Sequence, residues 1–207
     1  MSGKIIAFVG PSGVGKNFVK QAVKSRFPQL KELTVYTTRK KRSCDGLDRE
    51  SVTAEQFSEM QQKGELVGSH QPFGPGGDWY GFSKQQIDKM IEDGQIIMTE
   101  IHADNAMLFK ELYGDKIFMV VLTANKDYLE HNLKSRDSEK DAEQEDRLNK
   151  AITEIEAIQL MRNDGLISKN IQVDWNNREK IAEIVTDELS KEIEPYINNE
   201  NESEFKN

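Results

Sequence analysis

The stretch Gly10-Pro11-Ser12-Gly13-Val14-Gly15-Lys16-Asn17 constrains this chain more than any other. The apolar run Ile5-Ile6-Ala7-Phe8-Val9 precedes it, and the helical pattern Phe18, Val19, Ala22, Val23, Phe27 follows it. A strand that passes through a glycine-rich loop into a helix turns successive backbone N–H groups, and the positive helix end, toward one anion. The lysine that completes the spacing G-x-x-x-x-G-K makes that anion a nucleoside triphosphate, with Lys16 on the β- and γ-phosphates. Gly10, Ser12, Gly13, Val14, Gly15, Lys16 and Asn17 are therefore the expected ATP-binding residues. The position after the lysine usually carries a hydroxyl for Mg²⁺; here it is Asn17, whose amide oxygen is also a ligand for a hard cation.

A length of 207 residues suits one domain with lobes and is enough for a sizeable core. With 36% hydrophobic and 31% charged residues, the composition is that of a soluble globular protein. A net charge of −8 argues against nucleic-acid or anionic-membrane partners, so a phosphate ester must meet positive charge concentrated locally. The lone Cys44 makes no internal disulfide, and no leader-like or membrane-length apolar segment is evident, which places the chain in the cytoplasm.

Along the chain, β and α patterns alternate. Leu33-Thr34-Val35-Tyr36-Thr37-Thr38 reads as a second strand that runs into the basic cluster Arg39-Lys40-Lys41-Arg42, at the sheet edge where doubly wound folds take ligands. Residues 44–82 break the rhythm with glycines, prolines and Phe73, Trp79 and Tyr80, as a lobe or lid does. Within them Thr53 and Gln56 form a capping box, and Leu66-Val67 starts a short strand. Ser83 with Gln86 caps a helix, Ile96 to Ile101 is a buried strand, and Met107, Leu108 and Leu112 mark another helix. Ile117-Phe118-Met119-Val120-Val121-Leu122 reads as an interior parallel strand. A charged segment, 134–147, leads into a long helix, and residues 198–207 hold too little apolar surface to order. Trp79 and Trp175 read as packing residues, and His70 and His131 lack the spacing of a zinc site.

These residues resemble the guanylate kinase family, within the P-loop nucleoside monophosphate kinases. The resemblance rests on Gly10 to Lys16, Thr37-Thr38-Arg39 with Arg42, Trp79-Tyr80-Gly81, Glu100-Ile101, and Arg136 followed by Arg147-Leu148. It implies an α/β fold: a three-layer α/β/α P-loop NTPase core with a parallel sheet, a small acceptor-binding lobe and an Arg-bearing lid. On that pattern residues 1–197 form one domain, with core 1–43 and 83–197, lobe 44–82, lid about 134–147, and an acidic tail at 198–207. It also implies Lys16, Arg39, Arg136 and Arg147 as catalytic residues. Arg39, Arg42, Arg49, Tyr80, Glu100 and His102 face the acceptor, with Asn17 and Glu100 near Mg²⁺. Arg suits these roles because its planar, permanently charged fork matches phosphate oxygens.

This chain departs from the family at the acceptor side. The guanine-binding carboxylates align with Gly68 and His102, a phosphate-binding tyrosine with Arg49, and one lid arginine with Asn132. Guanine offers N–H donors that want carboxylate acceptors, so base specificity stands open. Three readings follow: an ATP-dependent kinase of GMP or another nucleoside monophosphate, a ribose 1,5-bisphosphate kinase-like phosphosugar kinase, or a non-catalytic binding module. The intact loop favours a kinase over the binding module, acting as a monomer or homodimer, and leaves the phosphosugar as the leading alternative acceptor.

Overall fold

A computed structural model describes residues 2–41, 48–72, 74–134 and 141–204, with 141–147 and 197–204 as backbone. In chain order the elements are β1 (Lys4–Val9), α1 (Lys16–Arg26), β2 (Lys31–Glu32), β3 (Val35–Thr37), β4 (Arg49–Ser51), α2 (Ala54–Gln62), β5 (Leu66–His70), β6 (Tyr80–Ser83), α3 (Lys84–Glu92), β7 (Ile96–Glu100), α4 (Ala106–Tyr113), β8 (Ile117–Ala124), α5 (Lys126–Lys134), α6 (Asp141–Asn163), β9 (Lys169–Val173) and α7 (Ile181–Glu204).

The continuous apolar runs become strands buried on both faces, because a parallel sheet is covered by helices above and below. The main sheet has the order β2-β7-β1-β8-β9, all parallel. Successive residues of β1 point to opposite faces. Ile6 and Phe8 join a cluster with Val19 and Val23 of α1 and with Val185, Leu189 and Ile193 of α7. Ile5, Ala7 and Val9 join the other, with Ile87 of α3, Phe109 of α4 and Ile158 of α6. The result is the three-layer α/β/α arrangement that the resemblance implies. β1 lies at the centre, so its C-terminal end delivers the glycine loop to the middle of the carboxyl edge.

A second sheet, in the order β4-β3-β6-β5, stands apart from the first. It accounts for a difference from the expected second strand. Only Lys31–Glu32 pairs with the main sheet, while Val35–Thr37 pairs with β4 and β6. The β-branched residues predict a strand correctly, but propensity says nothing about which sheet receives it. The basic cluster thus leaves the small sheet, not the edge of the large one.

The Thr53–Gln56 capping box is complete in both directions. At Ser83 only half forms: Ser83 Oγ accepts from Gln86 N, while the Gln86 side chain bridges to Thr34. Helix α4 is where expected, and the residues that mark it are not the ones it buries. Ala106, Phe109 and Tyr113 face inward, at i, i+3 and i+7, leaving Met107, Leu108 and Leu112 exposed. Helix α6 begins at Asp141, so Arg147 sits inside it rather than ahead of it. Helix α7 continues through Glu204, past residue 198 where order is expected to end. Buried Leu189 and Ile193 anchor it before that point, and Lys4 clamps it with a 2.5 Å ion pair to Glu192. Trp79 stacks on Phe57 with centroids 5.9 Å apart, and Trp175 packs on Tyr128 and His131.

Candidate active site

The loop at the end of β1 is shaped by its glycines. A Cβ at Gly10 would lie 2.5 Å from the Leu122 carbonyl oxygen, so no other residue fits there. Gly15 adopts φ 102°, in the left-handed region, and serves as the N-cap of α1 with no side-chain cap. The first amides of α1 are thus not claimed by a capping side chain, which is the condition for an anion to take them. Asn132 of α5 braces the loop from outside, donating to Gly13 O at 3.0 Å.

Lys16 folds back over the loop. Its ammonium donates to Gly10 O at 2.5 Å and Pro11 O at 3.2 Å, and lies 3.2 Å from Glu100 Oε1. Glu100 reaches this point because it ends β7 in register with Phe8 of β1. A cation and a carboxylate therefore meet at two adjacent strand ends, directly below the loop.

From Glu100 the site continues into the small sheet. Two residues on, His102 opens a 3-10 turn and its ring lies 5.1 Å from that of His70 on β5. His70 is 6.0 Å from the ring of Tyr80 on β6, and the Arg49 guanidinium sits over that ring at 6.0 Å. Arg39 follows β3 in a tight turn: Thr37 Oγ1 accepts from its amide, and Thr38 Oγ1 binds Asp78 and accepts from Trp79 N. The hydroxyls in Thr37-Thr38-Arg39 thus hold the turn that presents the arginine.

Gly68 has φ 65°, and a Cβ there would meet Phe109 Cε2 at 2.8 Å. Asn105 Nδ2 donates to Gly68 O at 2.9 Å, and the same carbonyl is 2.9 Å from His70 Nδ1. Burial pushes His70 below the ordinary histidine range, with His102 and Lys150 adding to the push against the Gly68 carbonyl and Asp104. The folded state therefore binds fewer protons than the unfolded one below about pH 6.5. His70 should cost stability as pH falls from 6.5 toward its folded value, and His70→Gln should flatten that limb of Tm measured from pH 7.5 to 5. An unchanged slope in the variant would assign the pH dependence elsewhere.

Glu154 of α6 also enters the site, from a quite different part of the chain. It is 8% exposed, Oε2 accepts from Ser12 N at 2.9 Å, and Oε1 lies 3.2 Å from His102 Nε2. Burial by itself would raise its pKa; His102, Lys16 and Lys150 outweigh that and hold it below the usual carboxylate range.

The guanylate kinase family model matches residues 2–188. This chain belongs to the guanylate kinase family. A guanylate kinase of Clostridioides difficile (strain 630) is 31% identical over 158 residues, covering 75% of this chain and 76% of the relative. One from Thermosynechococcus vestitus is 31% identical over 157 residues, 75% and 81% of the two chains. The crystal structure of guanylate kinase from Anaplasma phagocytophilum shares the fold, with TM-score 0.66 at 18% identity over 92% of this chain and 86% of that one.

Against the guanylate kinase pattern, the structure brings Lys16, Glu100 and His102 into one array with Arg49 and Tyr80. Arg42, Arg136 and Cys44 lie outside the described residues, as does the Arg147 side chain. Glu154 and Asn105 are the polar residues that the sequence pattern does not single out, and His70 is weighed there only against zinc spacing. Glu154 lies on the buried stripe Ala151, Glu154, Ile158, Met161, where a carboxylate needs partners, but Leu148, Ile152 and Ile155 spread the apolar pattern of α6 around the helix and hide that stripe in the sequence.

Among the described residues no cluster of three or more His, Cys, Asp or Glu is arranged for a metal. Mg²⁺ fits all the same, because it keeps its waters and takes one or two protein oxygens alongside substrate phosphates. Glu100, more than a third exposed at the loop, and the exposed Asn17 supply such oxygens. Among the described residues no helix is long and apolar enough to cross a membrane.

Proposed function

We propose that this protein is a phosphotransferase that moves the γ-phosphoryl group of ATP to a nucleoside monophosphate, with GMP the first acceptor to test. The observation that supports it is the Lys16 ammonium held between the loop carbonyls and Glu100, at the centre of the carboxyl edge. A non-catalytic module has no need of that arrangement. The names of the relatives favour GMP over a phosphosugar.

In this reading the loop amides and Lys16 hold the ATP phosphates. Arg39, Arg42, Arg49 and Tyr80 align the acceptor phosphate. One of its oxygens bonds to the γ-phosphorus as the bond to the β–γ bridging oxygen breaks, and ADP leaves. The transition state is loose, so alignment and neutralisation of charge carry the rate, and no strong base is needed. Arg136 and Arg147 would close over the transferring group. Mg²⁺, held by Asn17 and Glu100 with the phosphates, would neutralise charge on the triphosphate. A cytoplasmic setting, where ATP and nucleoside monophosphates are available, goes with this reading.

The acceptor pocket carries a consequence for specificity. Guanine N1–H and its amino group meet no carboxylate at positions 68 or 102, and an unmade bond to a buried donor costs about 1–3 kcal/mol. Preference for GMP over AMP in kcat/KM should therefore stay below about 100-fold. An ADP-release assay with Mg²⁺-ATP across GMP, dGMP, AMP, CMP, UMP, dTMP and phosphorylated riboses measures it. Turnover confined to GMP would overturn the specificity argument, and turnover confined to a phosphorylated ribose would overturn the acceptor class.

A further inference from the structure

We propose that Glu154 is a positioning residue that couples occupancy of the ATP loop to occupancy of the acceptor pocket. The inference rests on the phosphotransferase reading and deepens it. Each oxygen of this carboxylate has a different duty. Oε2 takes the Ser12 amide, in the loop that would cradle ATP, and Oε1 takes His102 Nε2, in the turn that borders the acceptor side. The two ends reach further than the direct bonds. Ser12 belongs to the loop that carries Lys16, and the His102 ring lies against His70, which leads on to Tyr80 and Arg49.

The carboxylate is rigidly placed. It is 8% exposed, sits between buried Ala151 and Ile158 on α6, and is held ionised by His102, Lys16 and Lys150 despite its burial. A buried anion cannot give up either partner without leaving charge unpaired, so a shift on one side is felt on the other. ATP draws the loop amides and Lys16 onto its phosphates and fixes Ser12. That fixes Glu154, and with it the ring of His102. An acceptor that orders the His70–His102 side pre-orders the loop through the same atoms. Each ligand then meets part of the ordering cost of the other, which is positive coupling between two sites. The same helix bears Arg147 about two turns earlier, so a fixed Glu154 also fixes the backbone from which that lid residue departs.

The test measures the dissociation constant of Mg²⁺-AMPPNP by calorimetry, with and without saturating GMP. It compares the wild type with Glu154→Met, His102→Phe and the double variant. Methionine keeps the volume and removes both acceptors; phenylalanine keeps a ring beside His70 and removes the bond. The wild type should bind AMPPNP roughly 5- to 50-fold tighter with GMP present. Each single variant should bring that ratio close to one, and the double variant should lower it no further. A purely structural role for Glu154 would lower Tm and weaken both ligands while leaving the ratio as in the wild type, and that result overturns the coupling. A wild-type ratio of one when GMP itself binds overturns it too, and AMPPNP binding without GMP binding overturns GMP as the acceptor on which this coupling acts. Failure of the wild type to bind AMPPNP and GMP at all would instead bring down the phosphotransferase reading and the coupling with it. His102→Phe alters a partly solvated turn rather than the helix core, so it reads the coupling even if Glu154→Met does not fold.

Discussion

Lys16→Ala is expected to lower kcat/KM at least about 10³-fold while leaving Tm within a few degrees of the wild type. Removing one preorganised donor from developing charge costs about 10²–10³ in rate, and this donor also carries a full positive charge. The stability side is small for a different reason. The ammonium serves the carbonyls of buried Gly10 and Pro11 together with Glu100, which is more than a third exposed, so water entering beside Glu100 takes up the bonds it leaves. Lys16→Arg should not rescue turnover, because a planar fork does not fit where a compact ammonium sits between Gly10 O and Pro11 O. Coupled ADP release and a thermal melt on the same preparations decide it. An Ala variant that retains turnover would show that the loop is not where the chemistry happens.

Gly68→Glu, the change that restores a carboxylate where the family carries one, is expected to destabilise the protein without sharpening guanine preference. Gly68 has φ 65°, which costs a side-chain-bearing residue about 1 kcal/mol or more, and its Cβ would lie 2.8 Å from Phe109 Cε2. Phe109 is fully buried and packs edge-on against Phe82, so it has nowhere to retreat. Overpacking of this kind costs a further 1–3 kcal/mol, roughly. A total of about 3 kcal/mol corresponds to a fall of roughly 6–12 °C in Tm for a chain of this size. Gly68→Ala isolates the backbone and Phe109 terms and should lose most of the same amount. If Gly68→Glu melts with the wild type and raises the GMP-to-AMP ratio, the pocket has room that the structure denies it.

These two positions also mark how far the amino-acid sequence can be read. The loop at residues 10–17 is legible because all its parts are local: strand, glycines, lysine and helix are contiguous, and their spacing alone aims the amides. The order of strands and helices and the capping box at Thr53 are legible for the same reason. So is the register of apolar residues in β1, which divides Ile6 and Phe8 from Ile5 and Ala7.

Other features turn on distance in the chain. Thr37 and Tyr80 are paired by a sheet that propensity does not name, and the residues that mark α4, Met107, Leu108 and Leu112, lie on its exposed face. Burial on a helix depends on which neighbour arrives, and Phe109 is claimed by the far side of the Gly68 turn. Glu154 stands 142 residues from Ser12. The sequence by itself determined that a triphosphate loop would sit at the end of a buried strand, because that geometry is written in bonds between neighbours. Only the tertiary structure decided which carboxylate holds the loop, which histidine packs beside His102 and why position 68 stays glycine. Those outcomes depend on side chains that meet only after the sheets and helices have packed.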